Sequence, residues 1–262
     1  MQPCSPPFSL LQPRRLMDLN LISLAAVAVL FAATLARATF GFADALVAMP
    51  LLSMLDGISI ATRFVALTSL TMAIFIVAMD WRHVDFGSVW QLVVAACFGI
   101  PLGVYYLQAL DSRYVNALLG LLVLSFAIYT LAKPPLGELT GRWWAWPFGF
   151  AAGILGGAYN THGPPLVIYG ALRKWPPQRF RATMQAYSVL ACLAVICSHA
   201  LQGLWQPAVF RLYLTALPAL LLAMALGTWL NRRLRDRSFG RWLCYLLILL
   251  GAMLLISALR SQ

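Results

Sequence analysis

Two interrupted apolar stretches carry the side chains of this chain that could do chemistry. The first reads ARATFGFADALVAMPLL and holds Arg37, Thr39, Gly41 and Asp44, while the second reads GGAYNTHGPPLVIYG and holds Asn160, Thr161, His162 and Gly163. Polar and ionisable groups are costly inside hydrocarbon and tend to mark function there. The donors of Thr39, Asn160 and Thr161, with backbone left bare by Gly41 and Gly163, suit a bound anion. Half-helices that begin near Asp44 and near Gly163 would each aim unpaired N–H groups and a positive dipole end at that anion. Gln185, one turn beyond Arg181, can face the same place.

Asp44 and His162 are the titratable candidates for proton coupling, since His changes charge near neutral pH and a buried carboxyl can be shifted toward it. Arg37 has three competing roles: balancing an anionic substrate, pairing with Asp44, or reaching back to the headgroups. Glycine and proline at the breaks have a competing role as well, in tight helix crossing. Arg63 and Arg181 head the helices after the breaks, where each could raise the local anion concentration or act as an orientation signal.

These residues need a frame of membrane helices. Of 262 residues 61% are hydrophobic and 10% charged, with mean hydropathy +0.80, whereas a soluble domain is about a quarter charged. The chain therefore reads as an all-α integral membrane protein. Apolar runs near 19–36, 60–79, 86–109, 114–132, 143–158, 182–201, 208–230 and 240–259 make about eight transmembrane segments. A single transmembrane domain is expected over 19–262, preceded by a leader at 1–18 that lacks the apolar core and cleavage site of a secretory signal. Translation from Met1 and from Met17 both remain open.

The two interrupted stretches match without gaps: Phe31 falls over Phe150, Phe40 over Tyr159 and Val47 over Leu166. This predicts two repeats, about 19–132 and 143–260, each opening with a broken or re-entrant helix, the arrangement that points to a transporter site. Whether each broken segment crosses or returns stays open. With eight crossings the loops after the odd-numbered spans hold 11 Lys and Arg against 7, and with two hairpins 12 against 6. Both counts place loops 173–181 and 231–241 in the cytoplasm and both termini in the periplasm.

The net charge of +11 lies mostly in those short loops, so no nucleic-acid partner is expected. The five cysteines form no C-x-x-C pair and no zinc-ligand spacing, so no metal is expected. Neither H-E-x-x-H nor G-x-S-x-G occurs, which argues against an intramembrane enzyme. An anion channel and a subunit of a membrane complex are the other readings.

GFADALVAMPLL with the following ALTSL, and GGAYNTHGPPLVIYGALRKW with the following RFRATMQAY, resemble the sulfite exporter TauE/SafE family of membrane permeases. The resemblance runs from about Leu24 to Leu259. It departs where the family usually shows a run of glycines and this chain has Gly41, Phe42, Ala43 and Asp44. The resemblance implies secondary transport of sulfite, sulfonates or small organic acids across a bacterial inner membrane. It implies no bound cofactor, and whether the chain forms a homo-oligomer stays open.

Overall fold

The computed structural model describes residues 13–40, 44–132, 137–233 and 238–260. Every helix longer than one turn in them is α: α1 (Pro13–Phe40), α2 (Asp44–Asp56), α3 (Ile58–Asp80), α4 (Phe86–Ala109), α5 (Ser112–Ala132), α6 (Ala145–Tyr159), α7 (Gly163–Leu172), α8 (Pro177–Leu201), α9 (Pro207–Arg233) and α10 (Ser238–Arg260). Within the described residues five helices, α3, α4, α5, α8 and α9, are long and apolar enough to cross a membrane. The run expected as a span near 143–158 folds as α6, whose 15 residues fall short of the ~20 that a crossing needs.

Large apolar side chains cover the outside: Trp90 and Phe98 are each 67% exposed and Leu201 89%. In water such a surface would aggregate, and in a bilayer it meets acyl chains. Trp143 and Trp144, also exposed, lie in a 3-10 turn just before α6 and suit an interfacial position. Among the long helices α3 and α8 are the most enclosed, and they pack on each other.

α6 is seated against α4 by glycine. Gly149 lies on Leu92, Gly153 on Ala96 and Gly157 on Ile100, so the two helices run parallel. A Cβ at Gly153 would overlap the Ala96 backbone, and one at Gly103 the Ile154 carbonyl. Small residues every fourth position let two backbones approach this closely. α1 packs on α9, α5 on α10, and α3 and α4 on α9 and α8 respectively.

α6 and α7 form a hairpin whose outer ends are tied together. Leu139 N–H donates to the Leu172 carbonyl at 2.9 Å, Arg173 donates to the Leu139 and Thr140 carbonyls, and Lys174 pairs with Glu138 at 2.7 Å. The same end of the bundle carries a latch between the α3–α4 connection and the head of α8. Arg179 donates to Asp85 at 2.7 Å, Thr183 accepts from the Asp85 N–H at 3.1 Å, and Arg181 faces Asp80 at 3.8 Å. Asp85 also caps α4 through Ser88. Burial alone would raise its pKa, but the hydrogen bonds from Arg179 and Ser88 outweigh burial and hold the carboxyl below its ordinary range. At the opposite end Arg63 of α3 donates to the Leu204 carbonyl in the α8–α9 connection, and Gln108 to Gln202.

Candidate functional site

α6 ends because Asn160 adopts the left-handed conformation, φ 52°. Asn tolerates that region better than most residues, since its short side chain bonds locally. Its N–H closes onto the Gly156 carbonyl at 2.8 Å and that of Thr161 onto Leu155 at 3.2 Å. Pro164 and Pro165 then start α7, where a fixed φ suits the first turn. The turn 160–162 is thereby held deep inside the bundle: Asn160 is 1% exposed, Thr161 1% and His162 6%.

The end of α1 and the start of α2 meet this turn. Arg37, 2% exposed, donates from Nη1 to Asp44 Oδ2 at 2.6 Å, and from Nε and Nη2 to Gln185 Oε1 at 3.2 and 2.7 Å. Ser69 Oγ of α3 donates to the same Asp44 oxygen at 2.5 Å. On the other side His162 Nε2 and Ser188 Oγ share a hydrogen bond of 2.8 Å. Arg37, Asp44, Asn160, Thr161, His162, Gly163, Met184 and Ser188 help to line one cavity of about 20 Å³. That volume holds a single water and no oxyanion. Most of its lining side chains are buried.

Two buried nitrogens at this site have no partner among the described residues: Asn160 Nδ2, a donor, and His162 Nδ1, whose role follows the tautomer. Unsatisfied buried polar atoms in a native fold call for a ligand, an ion or water. Among the described residues Asn160 Oδ1 has only the weak Cys192 thiol at 3.8 Å, and Thr161 spends its hydroxyl on the Tyr159 carbonyl at 3.0 Å. The dipole contribution differs from the expectation of two equal helix ends. Pro164 and Pro165 bring no N–H to the start of α7, and Asp44 already places a carboxylate in the first turn of α2. Charge and side-chain donors therefore count for more here than helix ends.

Most of the residues singled out from the sequence come together: Arg37, Asp44, Asn160, Thr161, His162, Gly163 and Gln185 are all at the cavity or bonded to a residue that is. Gly41 lies outside the described residues, as does the side chain of Thr39. Arg63 and Arg181 belong to the two end latches and not to this site. Ser69 and Ser188, which hold the two titratable groups, escaped the sequence reading. A signal for them existed, because the ungapped frame that lays Phe31 over Phe150 also lays Ser69 over Ser188.

The sequence profile described as Sulfite exporter TauE/SafE matches residues 25–254. A protein of Cupriavidus necator described as "Probable sulfite/organosulfonate exporter TauE" is 27% identical over 245 residues, covering 89% of this chain and 94% of that protein. No solved structure matches the chain.

Proposed function

The chain belongs to the sulfite exporter TauE/SafE family of membrane transporters, and from that premise we propose that it is a secondary exporter of sulfite, sulfonates or related small organic anions, coupled to protons. The observation that carries this reading is the buried polar site, with Arg37 and an Asn160 amide nitrogen that has no partner among the described residues, set among apolar helices. Thr161, Gly163 and Gln185 complete the binding set, with Thr39 and Gly41 expected beside them. Asp44 and His162 are the titratable groups at hand. A cavity this small, lined mostly by buried side chains, supports a carrier over a channel, which needs a continuous path.

The tied ends of α6 and α7 support a re-entrant hairpin in the second half. Helix pairing supports the duplication: exchanging α1–α5 with α6–α10 turns the α1–α9 contact into α6–α4 and preserves α3–α8 and α5–α10. With hairpins in both halves α5 and α9 end, and α8 and α10 begin, at the tied end, where the flanking sequence is rich in Lys and Arg. That end is then cytoplasmic in a bacterial inner membrane, with both termini periplasmic.

The test is ligand-dependent melting of the purified protein across sulfite, alkylsulfonates, sulfoacetate, sulfate and small carboxylates. A ligand that prefers the folded state stabilises it by RT ln(1 + [L]/Kd), about 2.7 kcal/mol at a hundred times Kd. A shift with sulfite or a sulfonate supports the reading. Silence across the anions, followed by no flux in liposomes, overturns it.

A further inference from the structure

The Arg37–Asp44 pair points to how anion and proton are coupled. This rests on the reading of the cavity as the anion site. Arg37 is the cation that an incoming anion would meet, yet a carboxylate of the chain itself already sits on it at 2.6 Å. We propose that Asp44 stands in for the substrate, and that the site accepts a monovalent oxyanion only when Asp44 takes up one proton, giving electroneutral one-to-one symport.

The argument is one of charge. Arg37 and Asp44 are 2% and 7% exposed, and together they sum to zero. The groups around Asp44 are accounted for element by element. α1 presents Arg37, α3 presents Ser69, and α8 presents Gln185, Ser188 and the thiol of Cys192. The α6–α7 turn presents His162, held by the Ser188 hydroxyl and not by a carboxylate. α5 and α10 bring Leu119, Leu250 and Leu254 to the apolar cluster around α2.

A monovalent anion added to this set would leave an uncompensated negative charge in the bundle, which hydrocarbon opposes. A proton on Asp44 removes that excess. The carboxylate becomes a carboxylic acid, its hydroxyl turns to the Ser69 oxygen, and Arg37 is released to the anion. On discharge Asp44 loses the proton to the same compartment and closes on Arg37 again. The empty and the doubly loaded sites are both neutral and can both reorient. A site holding only the anion or only the proton is charged and is held back. Sulfonates and hydrogensulfite belong to the accepted charge class, whereas sulfate, a fixed dianion of similar shape, does not.

Methanesulfonate is the probe, because its charge does not vary with pH. The full-length protein is reconstituted into liposomes with a pH dye inside, and a methanesulfonate gradient is imposed with the membrane potential clamped by potassium and valinomycin. The expected result is internal acidification equal to sulfonate uptake, unaffected by the imposed potential, with no uptake of sulfate. Asp44→Asn is expected to bring protons per sulfonate from one to zero and to make the remaining flux respond to potential. Flux through the unmodified protein that follows the potential, carriage of sulfate, or acidification persisting in Asp44→Asn overturns the proposal. The first of these needs no variant to fold. Failure of the unmodified protein to move methanesulfonate or sulfite at all would instead count against the functional reading beneath it.

Discussion

Ser69 of α3 and Ser188 of α8 each hold a titratable group of the site: Ser69 donates to Asp44 at 2.5 Å and Ser188 shares a hydrogen bond of 2.8 Å with His162. The two groups sit in unlike charge environments. One is in a closed ion pair, and the other lies near an amide, with an imidazole nitrogen and an amide nitrogen that have no partner among the described residues. Replacing Ser188 by Ala is expected to weaken transport through loss of His162 positioning. Restoration of flux by Ser188→Thr, which keeps the hydroxyl, is the check.

Arg37→Met strands Asp44 as a buried unpaired charge. Breaking such a pair costs about 3–5 kcal/mol, whereas removing both charges is often close to neutral. Arg37→Met should therefore lower the melting temperature sharply, and Arg37→Met with Asp44→Asn should recover much of the loss. Both variants should lack anion flux. Equal melting of the single and double variants would contradict the pairing.

Asn160 has two roles that substitution can separate. Asn160→Ala removes the amide and also puts a Cβ-bearing residue without local bonding at φ 52°, at a cost of roughly 1–2 kcal/mol. Asn160→Gly removes the amide while keeping the turn comfortable. The glycine variant should melt close to the parent and lose flux by about tenfold or more, the worth of one charge-assisted hydrogen bond. Normal flux in Asn160→Gly would remove the amide from the binding site.

The latch at Asp85 should show in acid. Its carboxyl is held below the ordinary value of about 3.9 by Arg179 and Ser88 against the effect of burial. A lowered folded-state pKa gives stability that is complete above the unfolded value and is lost as pH falls through the lowered one. The melting difference between the parent and Asp85→Asn should thus be constant near neutrality and shrink below about pH 4. A scan of melting temperature against pH checks this.

The α4–α6 seam tolerates no side chain. Gly153→Val and Gly103→Val should each destabilise by about 1–3 kcal/mol or more, because the intruding atoms meet backbone that cannot step aside. Gly137→Ala, where nothing lies within 4 Å, is the control and should melt like the parent.

Side-specific labelling checks the hairpin. In a background without the five native cysteines, single cysteines at Glu138 and Lys174, both half or more exposed, should react with an impermeant maleimide from the same face. A cysteine at the exposed Gln202 should react from the other. Labelling of 138 and 174 from opposite faces would mean that α6 and α7 cross.

Much of this frame was readable from local pattern. The run expected at 86–109 is α4 to the residue, and the second break falls at Asn160, just ahead of the glycine and two prolines that open α7. Legibility failed where the deciding contact is distant in the chain. Arg37 had three roles open to it, and only the approach of α8 to α1 brings Gln185 and settles its side chain inward. The two serines look like ordinary helix residues until α3 and α8 pack together. The bonds of Leu139 and Arg173 that tie the outer ends of α6 and α7 are encoded by no periodicity.

The shortness of α7 also bears on how the protein is made. Ten residues of helix reach only about 15 Å, half of the hydrocarbon thickness, so α7 has no stable place in lipid by itself. When it leaves the ribosome α4 is already inserted and can receive α6 along the glycine seam, but Phe180 and Trp175, which cover Gly170 and Tyr169, have yet to be synthesised. Stable seating of α7 would therefore come only once α8 has been made, and a nascent chain stalled just after Leu172 would be a natural substrate for membrane quality control.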